Sequence, residues 1–398
     1  ALMLVGGAVR DLLLGREPRE LDVVVADGAA ELAGVLAARF ADGTKAEESS
    51  AASFHERFST AAVSWRDGRI DIATCRSESY PEPGALPDVK GGTVEQDLRR
   101  RDFTVNAIAV QLAGARRAHL QTVAHSLEDL AARRLRVLHD ASFIDDPTRL
   151  LRLARYEARL GFDVESHTAQ LAQQALAGGA LGTVSPARIG AELRLALGEA
   201  NPLASLAAFD RLGILRTLHA DMELDAALVE RALLLLPDDG RPGALLLASL
   251  LRGVADAEEP GERSAEIVAL LNGWEFAAGE RDRISQSARH ATSLTTSMAE
   301  AKRDSQLHAT LSGKPAEAVA LAGALAGSHS AAELAARRWF DSVRNVRLII
   351  GGEDLLAAGI PAGPEVGRRL AAALAAKLDG ELASDRDAEL AAALGARA

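Results

Sequence analysis

LMLVGGAVRDLLLGREPRELDVVV, residues 2–25, sets the architecture of the front of the chain. Leu2–Val5 is a short apolar run closed by Gly6-Gly7, Val9–Leu14 reads as the start of a helix, and Leu21–Val25 is a strand of β-branched character. Outward from there, Ala29–Phe40 carries an amphipathic helical period. Ala61–Trp65 and Arg69–Thr74 flank Asp67-Gly68, a strong hairpin signal. Residues 41–52 are small and polar, which predicts a flexible loop. From about residue 126 onward, strand signals give way to helical periodicity almost to the end, with breaks near 161, 200–202, 237–243, 258–262 and 359–364. The expectation is an α+β chain, a small α/β head followed by a long all-helical part without a repeat of fixed period.

Composition narrows the function classes. Of the 398 residues, 48% are hydrophobic and only 4% aromatic, so helices should pack through small aliphatic side chains. No stretch approaches the roughly 20 apolar residues that span a bilayer. The first residues lack a charged leader and read as a buried strand, not a signal peptide. One cysteine, Cys75, excludes an internal disulfide framework and a cysteine zinc cluster, and a reducing cytoplasm fits. A net charge of −11 disfavours loose binding along a nucleic-acid polymer. The charge is uneven, however: residues 92–160 hold 12 Arg against nine Asp and Glu, a local basic cleft able to hold RNA.

Four groups of residues can carry chemistry. Gly6, Gly7 and Arg10 lie where a strand turns into a helix, which brings backbone N–H groups and a guanidinium to a possible anion site. Glu20 and Asp22, two apart on a strand, present their carboxylates on one face, where a divalent metal bridging to a triphosphate would relieve their repulsion. Alone, that pair fits a solvated strand edge equally well. Asp71, between Ile70 and Ile72, is either a buried carboxylate with a task or one that faces water through simple alternation. Arg99-Arg100-Arg101-Asp102 before an apolar segment containing Asn106 is a solvated turn or a phosphate clamp. In Asp145-Asp146-Pro147-Thr148-Arg149-Leu150-Leu151-Arg152, Asp146, Arg149 and Arg152 follow i, i+3 spacing on an expected helix. They form a surface salt bridge or a set of donors and acceptors that reads a base edge.

In order, Gly-Gly-x-Val-Arg-Asp, Leu-Leu-Gly-Arg, a carboxylate pair, Arg-Arg-Asp-Phe-Thr-Val-Asn-Ala-Ile-Ala and Asp-Asp-Pro-Thr-Arg-Leu-Leu-Arg resemble the class II tRNA nucleotidyltransferase and bacterial poly(A) polymerase family. Pro186-Ala187-Arg188-Ile189 with Glu192-Leu193, and Gly351-Gly352-Glu353-Asp354-Leu355 with Gly359-Ile360-Pro361-Ala362-Gly363-Pro364, extend the resemblance over nearly the whole chain. It implies a polymerase-beta-like nucleotidyltransferase head at 1–125, a helical neck at 126–196, a body at 197–295 and a tRNA-binding tail at 296–398, together elongated. It further implies template-independent addition of CMP and AMP from CTP and ATP to the 3′ end of tRNA, gripped at its acceptor arm and elbow. Mg²⁺ is expected on Glu20 and Asp22, with Asp71 as the base beside the primer hydroxyl. Gly7, Arg10, Arg101 and Arg152 are expected at the nucleotide phosphates, and Asp102 and Asn106 in shaping that loop. Asp146 and Arg149 are expected in place of a nucleic-acid template. Glu20 departs from the family's usual Asp and reaches farther by about a bond length. Partial CC- or A-addition and a catalytically weakened RNA-binding relative are the alternatives. The abrupt start at the first strand leaves room for an upstream segment.

Overall fold

In a computed structural model of the chain, the described residues are 2–41, 51–55, 60–65, 68–257, 265–383 and 385–395. They divide into two compact units, residues 1–218 and 219–398. The first begins with β1 (Leu2–Val5), α1 (Gly7–Leu13), β2 (Leu21–Val25) and α2 (Ala29–Ala41), close to the expected bounds. β3 (Ala51–His55), β4 (Thr60–Trp65) and β5 (Gly68–Thr74) follow. Ala51 and Ala52, expected in a loop, begin β3 instead because that strand pairs antiparallel with β4. Most of the expected loop and Asp67 lie outside the described residues, but Trp65 and Gly68 are register partners, as a hairpin requires.

A second hairpin, β6 (Arg76–Ser79) and β7 (Asp88–Gly91), leads to α3 (Val94–Arg99), which starts on a capping box of Thr93 and Gln96. β8 (Ile108–Gln111) and β9 (Leu120–Thr122) complete a seven-stranded sheet of order β3-β4-β5-β2-β1-β8-β9. β2 and β5 run parallel there, so Asp22 and Asp71 are register partners, while Val5 on β1 faces Asp22 from the other side. Val23, Val24 and Val25 are buried, which explains the β-branched run. Cys75 is buried in the same core, and burial pushes its thiol pKa up.

After α4 (Ser126–Ala131) the unit is helical except for β10 (Arg134–Leu135) and β11 (Asp163–Val164), a short parallel pair that periodicity did not reveal. α5 (Ser142–Asp145), α6 (Thr148–Leu160), α7 (Ser166–Ala177), α8 (Pro186–Leu197), α9 (Pro202–Arg211) and α10 (Ile214–Leu218) finish it. Leu150, Leu151, Leu153 and Ala154 seat α6 in the core.

The second unit consists of ten helices among its described residues, α11 (Ala226–Leu235) to α20 (Arg386–Gly395). Its centre is α16 (Ala316–Leu325), whose residues 317–324 are all buried and mostly alanine, as the low aromatic content suggested. Glu317 at its start is fully buried, accepting from the Arg241 backbone at 2.8 Å and from Arg283 at 3.2 Å. A smaller core of Ile350, Leu355, Ala373 and Ala393 holds the last three helices. The break expected at 258–262 lies outside the described residues.

Candidate active site

The site assembles where β2, the start of α1, the segment after α3 and the start of α6 meet. Gly6 has φ 71°, a left-handed backbone, and a Cβ there would lie 2.7 Å from Arg101 Nη1. Glycine is therefore required on both counts. Arg101 Nη2 donates to Asp97 at 2.9 Å, and its buried Nε has no hydrogen-bond partner. Asp97, fully buried, also takes Arg100 at 2.7 Å. Of the arginine triplet only Arg99 behaves as a solvated turn residue, pairing with Glu95 on the surface.

Arg10 departs from its expected placement. It is 1% exposed, with Nε and Nη2 on Asp11 (2.8 and 2.7 Å) and Nη1 on Asn106 Oδ1 (2.6 Å). Its donors are thus spent inside the protein, and it braces Asn106 instead of pointing at phosphates. Asn106 passes the constraint on, donating to Asp102 Oδ1 at 2.9 Å. Asp102 Oδ2 accepts Arg152 at 2.7 and 2.9 Å. Burial raises the Asp102 pKa, but Arg152, Asn106 and Arg149 outweigh it and hold the carboxyl at about 2. Arg152 continues to Glu192 at 3.1 Å, and Arg155 joins Glu192 to Glu199. The Tyr156 ring lies under the guanidiniums of Arg10, Arg152 and Arg155, at 5.0–5.6 Å.

Asp146 does not sit on the helix of Arg149 and Arg152. It precedes Pro147 in extended conformation, and α6 begins at Thr148. Its Oδ1 accepts from Thr148 N (3.1 Å), Thr148 Oγ1 (2.6 Å) and Arg188 Nη2 (2.7 Å), so one oxygen is saturated. Arg149 is buried, bonded to Ser142 Oγ at 2.6 Å and the Arg100 carbonyl at 2.9 Å, not to Asp146. The i, i+3 salt bridge is therefore absent. Arg188 also donates to the Gly84 carbonyl at 2.9 Å, tying the loop of the second hairpin to α8.

Glu20 is exposed just before β2 and shares a recess with half-buried Asp22. Burial raises the Asp22 pKa; Arg101 opposes this, while Glu20 and Asp71 add to it. Asp71 sits beside Asp22 across the parallel pair but is held by Arg69 at 2.7 Å. Among the described residues no three acidic, histidine or cysteine side chains converge as a metal cage.

Three recesses converge on Asp22. One, of about 470 Å³, lies on the β5 side with Asp71 and Arg69. The second, of about 390 Å³, runs from Gly7 and Arg101 to Asp146, Arg149 and Arg152, and is closed on one side by Tyr80, Leu86 and Pro87. The third, of about 420 Å³, lies on the α1 side and contains Glu20. The Tyr80 hydroxyl donates to Glu78 at 3.2 Å, and burial pushes its pKa to about 12. Asp97, Tyr80 and Tyr156 gave no sequence signal. Arg188 and Glu192 stood in a noted motif, but only the fold shows what they hold.

Residues 2–136 match the poly A polymerase head domain family. The chain is 39% identical over 221 residues to the A-adding tRNA nucleotidyltransferase of Geobacter sulfurreducens, covering 55% of this chain and 24% of that protein. It thus spans about a quarter of that relative's length. The structure of the Thermotoga maritima CCA-adding enzyme complexed with tRNA(CCA) superposes with a TM-score of 0.76 at 28% identity, over 99% of this chain and 90% of that one. With the CC-adding tRNA nucleotidyltransferase of Deinococcus radiodurans the identity is 38% over 283 residues, 70% of this chain and 72% of its relative, and on that extent of likeness the chain belongs to the class II tRNA nucleotidyltransferase and bacterial poly(A) polymerase family.

Proposed function

We propose that the chain is a Mg²⁺-dependent nucleotidyltransferase that adds CMP and AMP from CTP and ATP to the 3′ end of tRNA in the cytoplasm. The observation that carries this reading is the convergence on Asp22 of an acid-lined recess beside Asp71 and a nucleotide-sized recess ending in Asp146 and Arg149. The tRNA-bound Thermotoga structure supports the choice of RNA. The finer division into head, neck, body and tail, with the tail on the tRNA elbow, belongs to the same proposal.

Glu20 and Asp22 fit a Mg²⁺ ion, since Mg²⁺ takes one or two carboxylates together with substrate phosphates, and the raised Asp22 pKa marks a carboxylate short of positive charge. When bound, the ion would neutralise the triphosphate and acidify the attacking hydroxyl. The rest falls to the chain's own residues. Asp71, released from Arg69, takes the proton of the 3′-hydroxyl as its oxygen attacks the α-phosphorus. Arg101, with an unused buried Nε and Asp97 behind it, orients the triphosphate at Gly6-Gly7. Arg10 and Asn106 hold Asp102, and Asp102 holds Arg152 against the nucleotide. Asp146 keeps Oδ2 available for a base amino group, because Arg188 and Thr148 occupy Oδ1. Catalysis on this reading is chiefly positioning and charge stabilisation.

Label incorporation into tRNA transcripts ending before CCA, after C and after CC tests the proposal. Growth of all three to a finished CCA end, and no further, is expected. A stop after CC would assign the chain the activity named for its Deinococcus relative. No incorporation with Mg²⁺ present would overturn the enzyme reading.

A further inference from the structure

The third recess at Asp22 is not needed to seat a base or a primer. It lies between α1 and α8 and shares Gly7, Asp22, Arg152 and Tyr156 with the nucleotide recess. The two spaces are therefore continuous around the Tyr156 ring. Its far part is walled by Arg19, Arg155, Arg159 and Arg194. Two acids face it there, and both are engaged: Asp11 by Arg10 at 2.7 Å, and Glu199 by Arg19 at 2.8 Å and Arg155 at 3.1 Å. Arg159 is left with long ion pairs, 3.8 Å to Asp11 and 3.9 Å to Glu199, beyond hydrogen-bonding distance. Burial together with the guanidiniums of Arg10 and Arg19 lowers its pKa against the pull of Glu199, a sign of locally surplus positive charge.

Position adds direction. In the sheet, β2 lies between β5 and β1, so the recess with Asp71 flanks Asp22 on one side and the arginine recess flanks it on the α1 side. In a displacement at the α-phosphorus the new bond forms to the primer 3′-oxygen. The bond to the α,β-bridging oxygen breaks, and pyrophosphate departs with that electron pair. The attacking and leaving oxygens lie on opposite sides of phosphorus.

We propose that the arginine recess between α1 and α8 is a diphosphate-binding site that receives the pyrophosphate leaving group. The inference rests on the nucleotidyl-transfer reading for its ligand. The site is positively charged, continuous with the nucleotide recess and placed opposite the primer side. Arg159 is its principal unspent donor, a guanidinium suited to bidentate phosphate contact.

Calorimetric titration of the full chain with inorganic pyrophosphate tests it, because binding does not depend on turnover. Arg159→Ala is expected to weaken pyrophosphate binding, and product inhibition by it, about tenfold, with the KM for CTP unchanged and with Arg159→Lys restoring most of the affinity. Leu195→Glu guards against a folding artefact, since Leu195 is half exposed on the recess wall and makes no ion pair. It should weaken pyrophosphate by charge repulsion alone. Wild-type affinity in both variants would overturn the proposal. So would a KM for CTP rising in step with the loss, which would place the tail of the bound nucleotide there. If the wild type binds pyrophosphate through Arg159 but incorporates no label, the anion site stands and the transfer reading fails.

Discussion

Two carboxylates of the site have opposite electrostatic situations, and each predicts a behaviour. The Asp22 pKa is raised, so ionising it costs the folded protein: its stabilising contribution is present at low pH and is lost as pH rises through the folded pKa. Asp22→Asn should therefore abolish incorporation while raising the melting temperature of the metal-free protein at pH 7 by ~1–3 °C, a gain that shrinks toward pH 4. Scanning calorimetry at both pH values, beside the transcript assay, checks it. Asp102 is the reverse case, held at about 2 against an ordinary 3.8. Its contribution is complete above the unfolded value and disappears as pH falls from there through about 2. Asp102→Asn leaves Arg152 with Glu192 alone and should cost about 3 kcal/mol at pH 7, less below pH 4, as urea unfolding at the two pH values would show.

At the level of elements, the second hairpin depends on one carbonyl. Gly84 has φ 71°, and a Cβ there would meet the Thr183 carbonyl oxygen at 2.7 Å. Gly84→Ala should push the loop off that neighbour and break the 2.9 Å bond from Arg188. Arg188→Ala removes the same tie and also frees Asp146 Oδ1. Both should lower kcat/KM roughly tenfold or more, with Arg188→Ala also relaxing the choice between CTP and ATP; competition between the two labelled nucleotides measures this. The same residues show what the sequence made legible. Strand β2 could be read from LDVVV because a doubly buried strand leaves an unbroken β-branched run. Asp146 was misplaced onto α6 because Pro147 fits the first helical turn as well as the residue before it. Arg188 was visible in its motif, but its partners lie 42 and 104 residues away, and no local pattern reports such a distance. Arg10 looked like a phosphate ligand because spacing does not show which donors the interior consumes.

Over the whole molecule the charge divides unevenly between the two units. Residues 1–218 carry 26 basic against 29 acidic side chains, and residues 219–398 carry 19 against 27. A protein so charged can hold RNA through a few phosphate contacts but not along a long basic track. Its affinity for tRNA should fall by only about tenfold between 50 and 200 mM salt, the slope for roughly two released counterions; filter binding over that range measures it. A loss of a thousandfold would contradict the localised contact. The close approach of Gly6 to Arg101 has a consequence of another kind. Every amino acid reachable from a glycine codon by one base change carries a Cβ, so each would collide with a guanidinium that Asp97 holds in place. Codon 6 thus has no silent neighbours except synonymous ones, and in a population this position would be frozen by shape while the residues that do the chemistry still had room to drift, as Glu20 shows.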